Sequence, residues 1–198
     1  MRIQSTNRGK VNFKKNMSDF KAKFEKETVK SLQDKLGVKN PMAVPRLVKI
    51  VVNTSMKDFL VDKKNIERAK EDLTLITGQK PKVAKARISV STFKLREGDE
   101  IGLMVTLRGH RMYDFFEKLV TIVFPRVKDF NGVKESFDGR GNLSIGFTEN
   151  TVFSEIDPGK VDKIRSLQVT IVTDAKEDQK ARVLLEEMGV PFRKVVKA

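Results

Sequence analysis

The chain has 198 residues, 39% of them apolar, and sets 40 Lys and Arg against 26 Asp and Glu for a formal charge of +14. That composition can fill a core and argues against global disorder, and its charge calls for a partner of opposite sign: nucleic acid, an anionic membrane surface or an acidic protein. The absence of cysteine excludes a disulfide framework and a thiolate metal site, and no stretch approaches the roughly 20 apolar residues of a membrane-spanning helix.

Residues 1–16, MRIQSTNRGKVNFKKN, are basic, free of acid and without the apolar run of a secretory signal. They read as a flexible basic extension, with an organellar targeting segment as the alternative. Residues 17–198 read as one domain. Ser18 is an N-cap with Asp19 in the first turn. Phe20, Phe24, Leu32 and Leu36 follow at multiples of four, which predicts a helix from Ser18 that ends at Gly37. Asn40-Pro41 and Pro45 interrupt the chain before LVKIVVN, Leu47 to Asn53, a β-branched run predicted to be a buried strand. A second helix is predicted over Asp62 to Thr77, capped by Asp62, with Ile66, Ala69, Leu73 and Ile76 on its apolar face and Gly78 at its end.

From Val83 the period changes to two. Ile88, Val90 and Thr92 are predicted to point one way and Arg87, Ser89 and Ser91 the other. After the turn residues EGDE, Ile101, Leu103, Val105 and Leu107 alternate with Gly102, Met104, Thr106 and Arg108, which completes a hairpin. Met112, Phe115, Phe116, Leu119 and Val123 mark a third helix, ended by Pro125. The turn-rich FDGRGN, Phe137 to Asn142, leads into a strand with Leu143, Ile145 and Phe147, and Leu167, Val169 and Ile171 make another. Asp174 and Glu177 are read as a capping pair for a last helix that buries Ala181, Leu184, Leu185 and Met188 and stops at Gly189. With no repeat, low-complexity tract or long linker, a single α+β domain follows.

The residues give no support to catalysis. His110, the single histidine, has no acid–base partner near it in sequence, and the serines offer no nucleophile–base set. With no Cys, only carboxylates remain for a metal, and none has calcium-loop spacing. GRGNLSIG, Gly139 to Gly146, lacks the third glycine of a dinucleotide site, and Gly78-Gln79-Lys80-Pro81 lacks the ending of a phosphate-binding loop. No enzyme activity, cofactor or metal is expected.

The basic residues are more telling. Lys80, Lys82, Lys85, Arg87, Lys94 and Arg96 succeed one another without an acid between them, interleaved with strand periodicity so that they line one face or the hairpin's tip. Asn53, Gln79, Thr106 and Arg108 add hydrogen-bonding groups at strand ends and faces. Lys and Arg neutralise phosphates, while Asn, Gln and Thr reach 2′-hydroxyls and base edges in a shallow RNA groove. Basic groups on strands and loops, rather than opposite an exposed apolar helix face, weigh against a membrane. Ordered RNA is the expected partner.

Several words then match a family. MAVPRLVKIVVN, DLTLITGQKPKVAKARISVSTFKLREGDEIGLMVTLRGHRMYDFFEKL, FPRVKDFNG, SFDGRGNLSIGFTENTVFSEID and PFRK, in order from about Met17 to Lys194, closely resemble ribosomal protein five of the bacterial-type large subunit. The resemblance implies an α+β domain, mainly an antiparallel sheet with helices packed on one face and an extended basic hairpin loop. It implies binding of 5S rRNA and large-subunit rRNA in the central protuberance, among neighbouring 5S-associated ribosomal proteins, through the sheet face opposite the helices. Asn53, Gln79, Thr106 and Arg108 match the family's 5S rRNA-contacting pattern. The loop from Ala86 to Gly98 matches the one that reaches transfer RNA in the peptidyl site, with Lys85, Arg87, Lys94 and Arg96 facing phosphates. The region from Glu149 to Asp162, including Asn150, Glu155 and Asp157, resembles the bridge to ribosomal protein thirteen of the small subunit.

The expected location is the cytoplasmic ribosome of a bacterial-type system, with an organellar ribosome as the alternative. A free-standing RNA chaperone or general nucleic-acid-binding protein is the alternative function. The chain departs from the family at Ile88, where a second basic residue is usual, along Thr54-Ser55-Met56-Lys57-Asp58, and at Ser154 and Ser166.

Overall fold

The computed structural model describes residues 28–55, 63–160 and 163–193. Residues 1–16, the predicted Ser18 cap with Phe20 and Phe24, and the Asp62 cap lie outside them. The β-branched run predicted as a buried strand is β1 (Leu47–Ser55), the middle strand of a 5-stranded sheet ordered β2-β3-β1-β5-β4. Its partners are β2 (Lys82–Lys85), β3 (Glu100–Leu107), β4 (Leu143–Phe147) and β5 (Leu167–Thr173). Every neighbouring pair is antiparallel.

Strand side chains alternate between two faces, and here the alternation separates core from surface. Ile50 and Val52 of β1, Leu103, Val105 and Leu107 of β3, Leu143 of β4 and Val169 and Ile171 of β5 are buried on one side. The helices α1 (Val29–Leu36), α2 (Lys63–Thr77), α3 (His110–Lys118) and α4 (Asp178–Glu187) all bury their apolar residues in that same core. α2 contributes Ile66, Ala69, Leu73 and Ile76, and α4 contributes Leu184 and Leu185. Each such fully buried aliphatic side chain contributes about 1.5–3 kcal/mol relative to exposure. Gly37 ends α1 in the left-handed region at φ 65°, as its place in the sequence implies.

Three expectations need correction. The hairpin arms are shorter than the alternation suggested: β2 stops at Lys85, where its register against β3 shifts, and Ile88 is 73% exposed instead of facing a core. Between Lys85 and β3 only Ala86 is buried, and Ile88 and Val90 lie outside the described core. A loop takes over, closed at its base by Ala86 N–H to the Asp99 carbonyl (2.8 Å) and near its tip by reciprocal Val90–Leu95 bonds. Second, Pro125 does not stop the third helix. α3 passes through a π-helical stretch, Leu119–Val123, into a last turn, Phe124–Arg126. The wide turn comes just before the residue that has no N–H to donate. Third, Asp174 and Glu177 do not cap α4. Glu177 stands at the N-cap position without a side-chain capping bond, its carboxylate accepting Lys180 at 2.9 Å instead, and the Asp174 carboxylate accepts the Arg46 backbone N–H at 2.5 Å.

Candidate nucleic-acid interface

The sheet's other face is left uncovered by the described helices. Register places its side chains in rows. Lys82 is opposite Met104, Met104 opposite Asn53, Asn53 opposite Gln168, and Gln168 opposite Gly146, a single line across the whole sheet. The next row joins Thr106, Val51, Thr170 and Ser144. Lys49 and Val172 lie beyond it. Among the strand residues of this parity the one acid is Glu100, opposite Lys85 at the loop end of β3.

Asn53, Thr106 and Gln79 come together here. The Asn53 side chain is exposed and has no internal partner among the described residues. Thr106 follows Met104 on the same face, one row from Asn53. Gln79, half-buried after α2, donates its amide to the Thr106 backbone carbonyl at 3.3 Å. Arg108 continues the alternation just past β3, exposed and without an ion pair among the described residues. Three segments of the chain thus bring Asn53, Gln79 and Thr106 together, with Arg108 two residues beyond Thr106.

Sequence reasoning missed half of that face. Gln168, Thr170, Ser144 and Gly146 are its β4–β5 side, and with Asn53 and Ser55 they line or adjoin a shallow concavity of about 640 Å³ whose described lining has no charged side chain. The signal was present as the polar parity of LQVTIVT and LSIGF, but it becomes a surface only once β5 is known to pair with β1.

The loop from Ala86 to Gly98 leaves its basic side chains in the open. Lys85, Arg87, Lys94 and Arg96 are exposed. The nearby Asp99 carboxylate is committed to the Arg96 backbone N–H (2.7 Å), and the Ser89 hydroxyl accepts the Glu97 N–H (2.9 Å), so the loop is shaped by its own polar groups and turns its cations outward.

The expected bridge region is less uniform. Glu155 pairs with Lys118 at 2.5 Å, Glu149 accepts the Thr151 hydroxyl at 3.2 Å, and Asp157 accepts the Gly159 N–H at 3.1 Å. Asn150, however, is 1% exposed. Its oxygen accepts the Arg165 N–H and its amide nitrogen donates to Asp72, so it serves the interior and drops out of any contact surface.

His110 opens α3 at the surface, near Asp114, whose carboxyl is held above the usual carboxylate range by burial, with His110 opposing. The groove between α2 and α3 is lined by Asp114, Thr77 and Lys118 among others, with the Thr77 hydroxyl donating to the Leu73 carbonyl and Lys118 paired with Glu155. Among the described residues no group of three His, Cys, Asp or Glu is placed to hold a metal, and no helix is long and apolar enough to cross a membrane.

An antiparallel sheet with helices on one face, a polar and nearly acid-free other face, and a cationic loop at one edge defines a docking protein for an anionic, hydrogen-bonding partner. Family models supply the identity of that class: the model for ribosomal protein L5 matches residues 40–96, and the model for the C-terminus of the same ribosomal family matches residues 100–192. The chain belongs to the ribosomal protein L5 family. That family is a structural, non-enzymatic one, and membership makes the chain a constituent of the large ribosomal subunit that binds ribosomal RNA, 5S rRNA included.

Proposed function

We propose that the chain anchors 5S rRNA in the central protuberance through the open sheet face, with Asn53, Thr106 and Arg108 as contacts and Gln79 both contacting RNA and bracing β3. The observation that carries this reading is the Asn53 amide, exposed at the middle of an acid-poor sheet row with no internal partner among the described residues. A carboxylate there would repel phosphates, and an unbonded amide offers both a donor and an acceptor to a base edge or a 2′-hydroxyl.

The same reading extends Lys85, Arg87, Lys94 and Arg96 toward transfer RNA in the peptidyl site of a bacterial-type ribosome. It turns the carboxylates of Glu149, Glu155 and Asp157 toward ribosomal protein thirteen of the small subunit. The test is retention from total RNA at moderate salt. Selective retention of 5S rRNA by the parent, and its weakening in Asn53→Ala, supports the assignment. Indiscriminate retention of all RNA would instead favour a general nucleic-acid-binding protein.

A further inference from the structure

Gly146 occupies the middle of β4 on the open face, opposite Gln168. A glycine inside a strand weakens it, since there is no side chain to pack and more freedom to lose on folding. Such a residue is usually required by a left-handed φ or by a close internal neighbour. Neither applies: Gly146 is absent from the positive-φ glycines, and a Cβ built on it meets nothing within 4 Å. Gly102 on the same face differs, because its Cβ would come to 3.1 Å from the Thr54 carbonyl oxygen. Nothing in the described fold requires the bare backbone at Gly146, which leaves open space over β4 among the described residues.

That space opens into the concavity lined by Asn53, Ser136, Ser144, Thr148 and Gln168. Apart from the 3.2 Å contact of Ser144 with Thr170, the side chains of these residues have no partner among the described residues. Among the described residues no cation lines the concavity, whereas Lys82 lies at the other end of the same row. That is about 19 Å away at ordinary strand spacing. The face therefore grades from cationic at β2 to neutral and hydrogen-bonding at β4.

We propose that the concavity over Gly146 is a distinct RNA subsite, seating the ribose and base-edge side of the nucleic acid while Lys82 and its neighbours take the phosphates. Gly146 lets the RNA surface come into contact with the β4 backbone, and Gln168 and Thr148 meet 2′-hydroxyls and base edges. The inference rests on the reading that the open face binds 5S rRNA. A phosphate seated in a lining without a cation would lose its counterions for no compensating charge, whereas neutral amides and hydroxyls match the shallow groove of an RNA helix.

The experiment titrates purified 5S rRNA against the full-length parent and the variants Gly146→Val, Gln168→Ala, Lys82→Ala and Asn53→Ala over a range of salt concentrations, with Tm measured for each. Gly146→Val should keep the parent Tm and lose about tenfold or more in affinity with an unchanged salt slope, and Gln168→Ala should do the same more mildly. Lys82→Ala should lower the slope by about one. If Val disturbs the strand, the double variant Gly146→Ala with Gln168→Ala carries the same comparison. Parent-like binding by Gly146→Val with weakened Asn53→Ala overturns the subsite and leaves the RNA-binding face standing. Parent-like binding by both removes the face as well, and a reduced salt slope in Gly146→Val would place phosphates there and overturn the proposal.

Discussion

Gln79 donates its side-chain amide to the backbone carbonyl of Thr106 at 3.3 Å, so the turn after α2 is tied to the strand that lies beside Asn53. Two residues expected to contact RNA in the same way therefore have different standing in the fold. Gln79 is half-buried and internally bonded, while Asn53 is exposed and its side chain is unbonded among the described residues.

The two variants should separate accordingly. Asn53→Ala is expected to change unfolding free energy by less than about 0.5 kcal/mol, as surface substitutions do, while weakening 5S rRNA binding. Gln79→Ala should weaken binding too, but with a loss of about 1 kcal/mol from the missing hydrogen bond. Urea titrations of both proteins beside RNA titrations check this; identical stabilities would show that the Gln79 bond holds nothing.

The cationic loop should be separable from the sheet. Its backbone is closed by Val90–Leu95 and Ala86–Asp99 bonds, and none of Arg87, Lys94 and Arg96 uses its charged group inside the described structure. Replacing these three with Gln should leave Tm and 5S rRNA affinity as in the parent. Ribosomes reconstituted with the variant should retain transfer RNA in the peptidyl site less well, most visibly at raised salt, where the remaining contacts are screened. Loss of 5S rRNA binding in this variant would mean that loop and sheet form a single site.

How much of this was legible beforehand follows from what each pattern depends on. The core sides of β1, β4 and β5 and of α2 were readable because Ile50, Val52, Ile145, Leu73 and Ile76 obey a local period that burial alone imposes. Ile88 and Val90 obey the same period by accident of composition, in a loop outside the described core. The role of Asp174 was hidden because its partner, Arg46, is 128 residues earlier, and several acids near one helix start are equivalent to a local reading. Asp178 illustrates the point: it stands in the first turn of α4 but sends its carboxylate to the Gly139 and Gly141 N–H groups. Gln168 and Gly146 join Asn53 only through strand pairing, which no local window contains.

Asp138 sets the turn that delivers β4, and its ionisation should be felt in stability. Its carboxyl is held below the usual carboxylate range, first by the Asn142 side-chain amide and then by the Asn142 and Arg140 backbone N–H groups. A depressed folded-state pKa contributes stability that is fully present above the ordinary aspartate pKa of about 3.9. That contribution is lost as pH falls through the lower folded value. Asp138→Asn should therefore lower Tm near neutrality, and the gap to the parent should close in acid below about pH 3.9. A gap independent of pH would assign the effect to shape instead of charge.

Buried Asn150 and Arg165 form a small polar triangle with half-buried Asp72 under the segment first expected to face the small subunit. The Arg165 guanidinium is bonded to Asp72 at 2.6 Å, and its Nε and second terminal nitrogen are buried without a partner among the described residues. Among the described residues Asp72 is thus the one carboxylate bonded to a poorly solvated cation, and Asp72→Ala should destabilise by about 3 kcal/mol, the low end for stranding a buried charge. Asn150→Ala removes an acceptor for the Arg165 N–H and a weak 3.5 Å contact to Asp72, with an expected loss of about 1–2 kcal/mol. Replacing Asp72 and Arg165 together by leucine should cost less than Asp72→Ala alone, because no charge is left behind. Denaturant unfolding of the three variants decides the matter. If Asn150→Ala keeps full stability yet impairs joining of the ribosomal subunits, Asn150 returns to the contact surface and the polar triangle loses its structural role.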